Sequence, residues 1–466
     1  MNLTELLDKA AARWPERPAI VEGATAVSYA ELLRMVDNLS RELGRLGISP
    51  GCRVGLCHPN SVLYVALTYA LWRVRAVVVP IPVEWTEEEL NGVIGAMRLQ
   101  GILSRKPRDI SVQLQPGCFF TRLAPPQAPD NHDLNIAFIR FTSGTTSARK
   151  GVVLCHETIR DRVNAANKVL RIGPQDTVMW SLPMSHHFLV TIVLYLCHGA
   201  TIVLTRHVLA RSFLEEVGRR HGTVLYGAPF QYALLARDNS GLGLASVRLA
   251  VSTTCPLPAE VAADFFTRFG VHLSQGLGVI ELGLVSLNTA DPAGRRNSVG
   301  RPAEDFQVRI LDPDENGCGE VAVAGPGTLD AYASPWMSRD QVMPDGWFRT
   351  GDIGRVDRDG FLFLVGRRTS VINLAGRKVF PEEIEAVLNR HPAVRESRAY
   401  GRLHPHLGEV VEADVVLEGA DASLESIREF CRANLAPFKI PSRLHVVNAL
   451  PRTAATGKIR REVAVA

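Results

Sequence analysis

Apolar positions along this chain switch repeatedly between two periods. Leu32, Met35, Val36, Leu39, Leu43 and Leu46 recur at helical spacing, and residues 53–57 follow as a short apolar strand. Residues 62–72 read as a second helix and 76–80 as a strand stopped by Pro80. The rhythm returns with strands at 134–141, 200–204 and 223–226 between helical stretches, which predicts a largely parallel sheet covered by helices. The longest apolar run, 188–197, ends at His198-Gly199; it is too short to span a bilayer and predicts a buried helix. From about Gly300 the texture turns β-rich, with turns at 312–317 and 357–360. The last segment predicts helices over 381–390 and 424–435 and strands over 397–400 and 412–417. A proline-rich, charge-mixed stretch at 122–133 reads as a linker.

Composition narrows the class of protein. The chain has 466 residues, enough for two or three domains with ample core, and is 46% hydrophobic and 21% charged, as ordinary globular proteins are. Its formal charge of +4 comes from 52 basic against 48 acidic residues, and the basic pairs at 295–296, 367–368 and 377–378 are short, so no nucleic-acid partner is implied. Eight cysteines stand singly, without CxxC or zinc spacing, which fits a reducing compartment. The N-terminal residues carry acids early and lack the apolar centre of a signal peptide. These features predict a soluble, cytoplasmic protein with no membrane partner.

The strand at 134–141 feeds residues 141–152, FTSGTTSARKGV. Small residues let backbone N–H groups close around a polyphosphate, while Thr142, Ser143, Thr145, Thr146 and Lys150 add donors and charge beside Gly144. The stretch is not a Walker A loop, because position 149 is arginine. By itself a Ser/Thr-rich surface turn fits it as well as a phosphate loop does.

Four further segments accompany it: QGLGVIE at 275–281, FRTGDI at 348–353, LVGRRTSVINLAGRKVFPEEIE at 364–385 and PRTAATGKIR at 451–460. In order and spacing they resemble the adenylate-forming superfamily, which holds acyl- and aryl-CoA synthetases, adenylation domains of nonribosomal peptide synthesis and firefly luciferase. The resemblance runs from residues 27–32, VSYAEL, to Lys458. It implies an α/β fold: a large multi-sheet N-terminal domain with parallel helix-covered sheets to residue 366, and a small, mobile α+β C-terminal domain over 367–466. The implied chemistry is activation of a carboxylic acid by ATP and Mg²⁺ to an acyl-adenylate. A thiol of coenzyme A, or of a separate carrier protein's phosphopantetheine arm, then takes the acyl group.

Residue by residue, the resemblance makes 142–146 and Lys150 the pyrophosphate clamp and Glu281 the carboxylate that holds magnesium. Asp352 becomes the acceptor of both ribose hydroxyls, and Arg367 the arginine that contacts the ribose. Lys458 becomes the lysine that bridges carboxylate and α-phosphate during adenylation, and Gly376 lines the pantetheine channel. His186, in the segment 183–188, and the turn Gly276-Leu277-Gly278 border the acid. Adjacent histidines rarely share one ion, so His186 is read as a pocket wall or gate. Several positions depart from the family pattern. Ser147 and Arg149 replace Gly and Pro, Leu277 replaces an aromatic, and Ile280 replaces a hydroxyl donor to the α-phosphate. Thr253-Thr254-Cys255-Pro256 stands for Gly-Gly-Ala-Pro, and Thr369 and Asn373 replace an Asp or Lys and a lysine. These departures leave a second reading open, a non-catalytic docking protein with an eroded adenylation site. Residues 183–197 contain no carboxylate to pair with a substrate ammonium, which disfavours an α-amino acid and favours an aromatic or medium-chain aliphatic acid.

Overall fold

The computed structural model of the chain describes residues 1–108, 110–124, 129–141, 150–205, 209–374, 377–404, 408–419, 423–452 and 459. Its helices start where the sequence supplies caps. Ser28 accepts from the Glu31 N–H while the Glu31 carboxylate accepts from the Ser28 N–H, and this capping box opens the helix Tyr29–Arg45. Leu32, Val36, Leu39 and Leu43 form the buried stripe of that helix and pack it on the helix Val62–Arg73. The second helix is apolar on every side and correspondingly buried from Tyr64 to Trp72; the Trp72 indole N–H finds the Ala137 carbonyl at 2.8 Å.

By their contacts the residues form two units, Met1–Gln307 with Ala324–Trp347, and Val308–Val323 with Phe348–Ala466.

Two sheets build the first unit. In one, the strands Leu273–Val279, Leu249–Ser252, Val224–Gly227, Thr177–Trp180, Thr201–Leu204 and Pro18–Glu22 run parallel in that spatial order. Antiparallel strands close its ends. The other is nine-stranded, with a parallel centre of Ile136–Phe141, Val77–Pro80, Arg53–Cys57 and Gly101–Ser104. Beside Ile136–Phe141 lies Gly151–Cys155, then Ala331–Ala333. The helices Val62–Arg73 and His156–Leu170 each touch strands of both sheets and so lie between them. The second unit holds an antiparallel set, Gly319–Ala324, Phe348–Val356 and Leu362–Arg367, and a five-stranded sheet packed on the helices Pro381–Leu388 and Leu424–Asn434.

Two expectations change in detail. The run 188–197 is buried as expected, but it is a π-helix over Phe188–Ile192 followed by an α-helix over Val193–Cys197. His187 leaves helical geometry at φ −134° and ψ 36°, and its carbonyl accepts from the Thr191 hydroxyl, which widens the turn. The stretch 122–133 is also less free than a linker over its described part. The buried Arg53 guanidinium donates to the Asp130 carbonyl at 2.6 Å, to Asn131 Oδ1 at 3.1 Å and to the Met97 carbonyl at 3.3 Å. A buried cation must satisfy its donors, and here it does so by tying the segment down. Among the described residues no helix is long and apolar enough to cross a membrane.

Candidate active site

Glu281 lies in the tight turn between the strands Leu273–Val279 and Gly283–Leu287. Gly283 takes φ +90°, and a Cβ there would meet the Arg162 side chain at 3.2 Å and Val190 at 3.3 Å, so the turn needs glycine. An isolated glutamate after an apolar run is usually solvated. This one is 8% exposed. Its backbone carbonyl accepts from the Leu329 N–H at 2.7 Å and from Arg162 Nη2 at 2.6 Å. Arg162 also donates to the Ile280 carbonyl at 2.8 Å and the Gly327 carbonyl at 2.5 Å, so one buried arginine on the helix His156–Leu170 fixes the whole turn. Burial pulls its guanidinium down to about 9, against the pull of Glu281 and Asp330.

The Glu281 side chain is set by a residue that sequence reasoning missed. Tyr332 donates its hydroxyl to Glu281 Oε1 at 2.9 Å. Burial, and then the adjacent carboxylate, raise the Tyr332 hydroxyl far above its ordinary value, so it stays a proton donor. Tyr332 sits on the strand Ala331–Ala333, paired with Val152 of Gly151–Cys155. That strand begins one residue after Lys150, and Lys150 Nζ lies 5.0 Å from the Tyr332 ring centroid. One phenol therefore touches both the expected metal carboxylate and the expected phosphate lysine. A carboxylate whose Oε1 is held by a phenol keeps a second oxygen for a hard cation, which fits Mg²⁺ completed by phosphate and water oxygens. Among the described residues no group of three His, Cys, Asp or Glu side chains could hold a metal by itself.

The expected acid-side residues lie on the same unit. His186 and His187 are half-buried on the short helix Met184–His187, whose start is clamped by Asn60. That side chain donates to the Leu182 carbonyl and accepts from the Met184 N–H, both at 2.8 Å. His187 meets Trp180 edge-on at 6.4 Å, and Trp180 stacks on Tyr226 at 5.6 Å. Burial pushes the Tyr226 hydroxyl up to about 12, with a hydrogen bond to Thr253 working against it. Leu277 is buried, Gly278 is exposed, and Gly276 packs so closely that a Cβ would stand 3.0 Å from the Ser286 carbonyl oxygen.

Thr254, next to Thr253, takes φ +79°, a left-handed conformation that strains a β-branched residue. Thr254→Gly is therefore expected to stabilise the protein by about 1 kcal/mol, the relieved strain exceeding the flexibility glycine adds to the unfolded chain. Thermal unfolding checks this, and a lowered midpoint would contradict it.

In the second unit Asp352 and Arg367 face each other across the strands Phe348–Val356 and Leu362–Arg367. Arg367 Nε lies 2.7 Å from Asp352 Oδ1, and its Nη1 donates to the Thr350 carbonyl at 3.1 Å. The Thr350 hydroxyl accepts from the Asp352 N–H at 3.0 Å and donates to the Val321 carbonyl at 2.9 Å. The carboxylate is thus buried, oriented and charge-compensated, as an acceptor for a vicinal diol should be. Thr142, Ser143, Gly144, Thr145, Thr146, Gly376 and Lys458 lie outside the described residues.

Comparison with known proteins decides the family. The AMP-binding enzyme profile matches residues 7–333, and the profile of the AMP-binding enzyme C-terminal domain matches residues 383–458. The chain belongs to the AMP-binding enzymes. A sulfoacetate–CoA ligase of Cupriavidus necator is 29% identical to this AMP-binding enzyme, over 99% of this chain and 96% of that one. An oxalate–CoA ligase of Arabidopsis thaliana is 28% identical over 99% and 98% of the two chains. The o-succinylbenzoate CoA synthetase of Bacillus subtilis, solved with its acyl-adenylate intermediate, shares the fold. Its TM-score is 0.85 over 98% of this chain and 96% of that one, at 23% identity.

Proposed function

We propose that this AMP-binding enzyme activates an aromatic or medium-chain aliphatic carboxylic acid and passes the acyl group to coenzyme A. It is an AMP-forming acid–thiol ligase. The substrate carboxylate attacks the α-phosphorus of ATP, the bond to the β-phosphate bridging oxygen breaks, and pyrophosphate leaves with that electron pair. A thiol then displaces AMP from the acyl carbon. Two anions must meet in the first step, so the enzyme needs cations and donors on the phosphates.

The observation that carries this reading is the convergence of Glu281 and Lys150 on Tyr332. Glu281 would hold Mg²⁺, whose charge would offset that of the phosphates. Lys150, close in sequence to 142–146, would contact the departing pyrophosphate, Asp352 would accept the ribose hydroxyls, and Arg367 would contact the ribose and hold Asp352 in place. Movement of 367–466 about a hinge at 366/367 would deliver Lys458 for adenylation and Gly376 for thiol transfer. The cytoplasm supplies both ATP and coenzyme A. The acid class follows from the segment 183–197, which has no carboxylate, and from the Trp180–Tyr226 stack beside His187.

A panel of acids incubated with ATP, Mg²⁺ and coenzyme A, read as thioester mass, tests the substrate. Benzoates or medium-chain acids are expected to give the strongest product. Amino acids, or dianionic acids such as oxalate, turned over in their absence would overturn the assignment.

A further inference from the structure

A half-buried arginine near Glu281 keeps one shut-in donor without a partner among the described residues. Arg140 interrupts the apolar strand Ile136–Phe141 one residue before its end. It pairs with Val152, and Val152 pairs on its other side with Tyr332. Residues paired across neighbouring strands point to the same face, so Arg140 and Tyr332 stand two strands apart, about 10 Å, on one face of the sheet. That is the face on which Tyr332 reaches Glu281. Glu281 is the largest opposite charge acting on Arg140, followed by the Tyr64 hydroxyl, and burial draws the guanidinium down to about 10.

The contrast with Arg162 is instructive. Arg162 spends its donors on the carbonyls of Ile280, Glu281 and Gly327. Arg140 Nε is shut from solvent and has no hydrogen-bond partner among the described residues. Glu281 thus faces Arg140, Arg162 (on which Asp330 also acts) and, over the Tyr332 ring, Lys150. A guanidinium donor closed off from water and left without an acceptor costs stability in the empty protein, and a joining anion would offset that cost. The strand that carries Arg140 ends at Phe141, one residue before the sequence 142–146 begins.

We propose that Arg140 is an anion-binding residue of the nucleotide site, placing a fixed positive charge on the phosphates of ATP and of departing pyrophosphate beside Glu281. This rests on the reading of Glu281 and Lys150 as the phosphate centre. The guanidinium fork suits two phosphate oxygens and shares with Mg²⁺ the neutralisation of their charge.

The test uses the full chain with inorganic pyrophosphate and ATP as probes, by calorimetry and by ligand-induced shift in melting temperature, in EDTA and then in Mg²⁺. Arg140→Met and Arg140→Gln are expected to melt at or above the wild-type temperature without ligand and to lose about tenfold in pyrophosphate affinity in EDTA. Arg140→Lys should keep most of that affinity, and Mg²⁺ should narrow every difference. Should the methionine variant not fold, the glutamine variant carries the same comparison. Wild-type affinity in Arg140→Gln, or a ligand-free melting temperature lowered alike in all three variants, would show a structural role and overturn the inference. Wild-type protein that binds neither ATP nor pyrophosphate under any condition would instead remove the proposed function on which it rests.

Discussion

Lys458→Ala is expected to lower acyl-adenylate formation by about 10²–10³-fold while leaving thioester formation from pre-made acyl-AMP largely intact. The lysine lies in the last motif of the chain, PRTAATGKIR, far in sequence from Lys150 and Glu281. In the proposed mechanism its charge would act only where a carboxylate anion approaches a phosphate, and the second step has no such approach. Rapid-quench assays of the two half-reactions separate these steps. Equal loss in both would mean that Lys458 supports the fold or acts in another way.

Glu281→Gln is expected to cost about 10²-fold in turnover and to raise the magnesium concentration needed for half-maximal rate. The amide keeps the shape and still offers an oxygen to Tyr332, but it loses the anionic ligand that a hard cation prefers. Tyr332→Phe removes only the hydroxyl that holds this carboxylate. A smaller loss of about tenfold is expected, with the ring still beneath Lys150. Thermal unfolding and magnesium titration together check the pair. Unchanged magnesium dependence in Glu281→Gln would remove Glu281 from the metal site.

Local rules made much of this architecture visible in the chain. The stripe of Leu32, Val36, Leu39 and Leu43 could be counted, and the Ser28–Glu31 box marks the helix start. The parallel strands showed as short apolar runs between helices. What stayed hidden depends on contacts between distant segments. Tyr332 sits in GPGTLDAYASPW, which carries no motif; its role arises only when its strand pairs with Gly151–Cys155. The π-helix Phe188–Ile192 is too short for its period to be told from an α-helix. Two signals were present but carried no role alone. Arg140 interrupts an apolar strand, and Arg162 shares a helix face with Thr158, Ile159 and Val163. A charge on an apolar face asks for a partner, yet only the folded chain shows that Arg162 has three carbonyls.

The departures from the family pattern bear on the choice between catalyst and docking protein. Ile280 removes a hydroxyl, and Thr254 puts strain where glycine would relax it. Glu281, Asp352 and Arg367 are nevertheless held in oriented, hydrogen-bonded geometry. Buried carboxylates oriented at such cost, Glu281 in the first unit and Asp352 in the second, favour the catalyst.

The most direct test of the central claim is acid-dependent exchange of labelled pyrophosphate into ATP without coenzyme A. Adenylation is reversible and precedes thiol transfer, so a benzoate or medium-chain acid should drive exchange when no thiol is present, and Glu281→Gln should suppress it. If no acid in the panel supports exchange while the folded protein binds ATP, adenylate formation is contradicted and the docking reading takes its place.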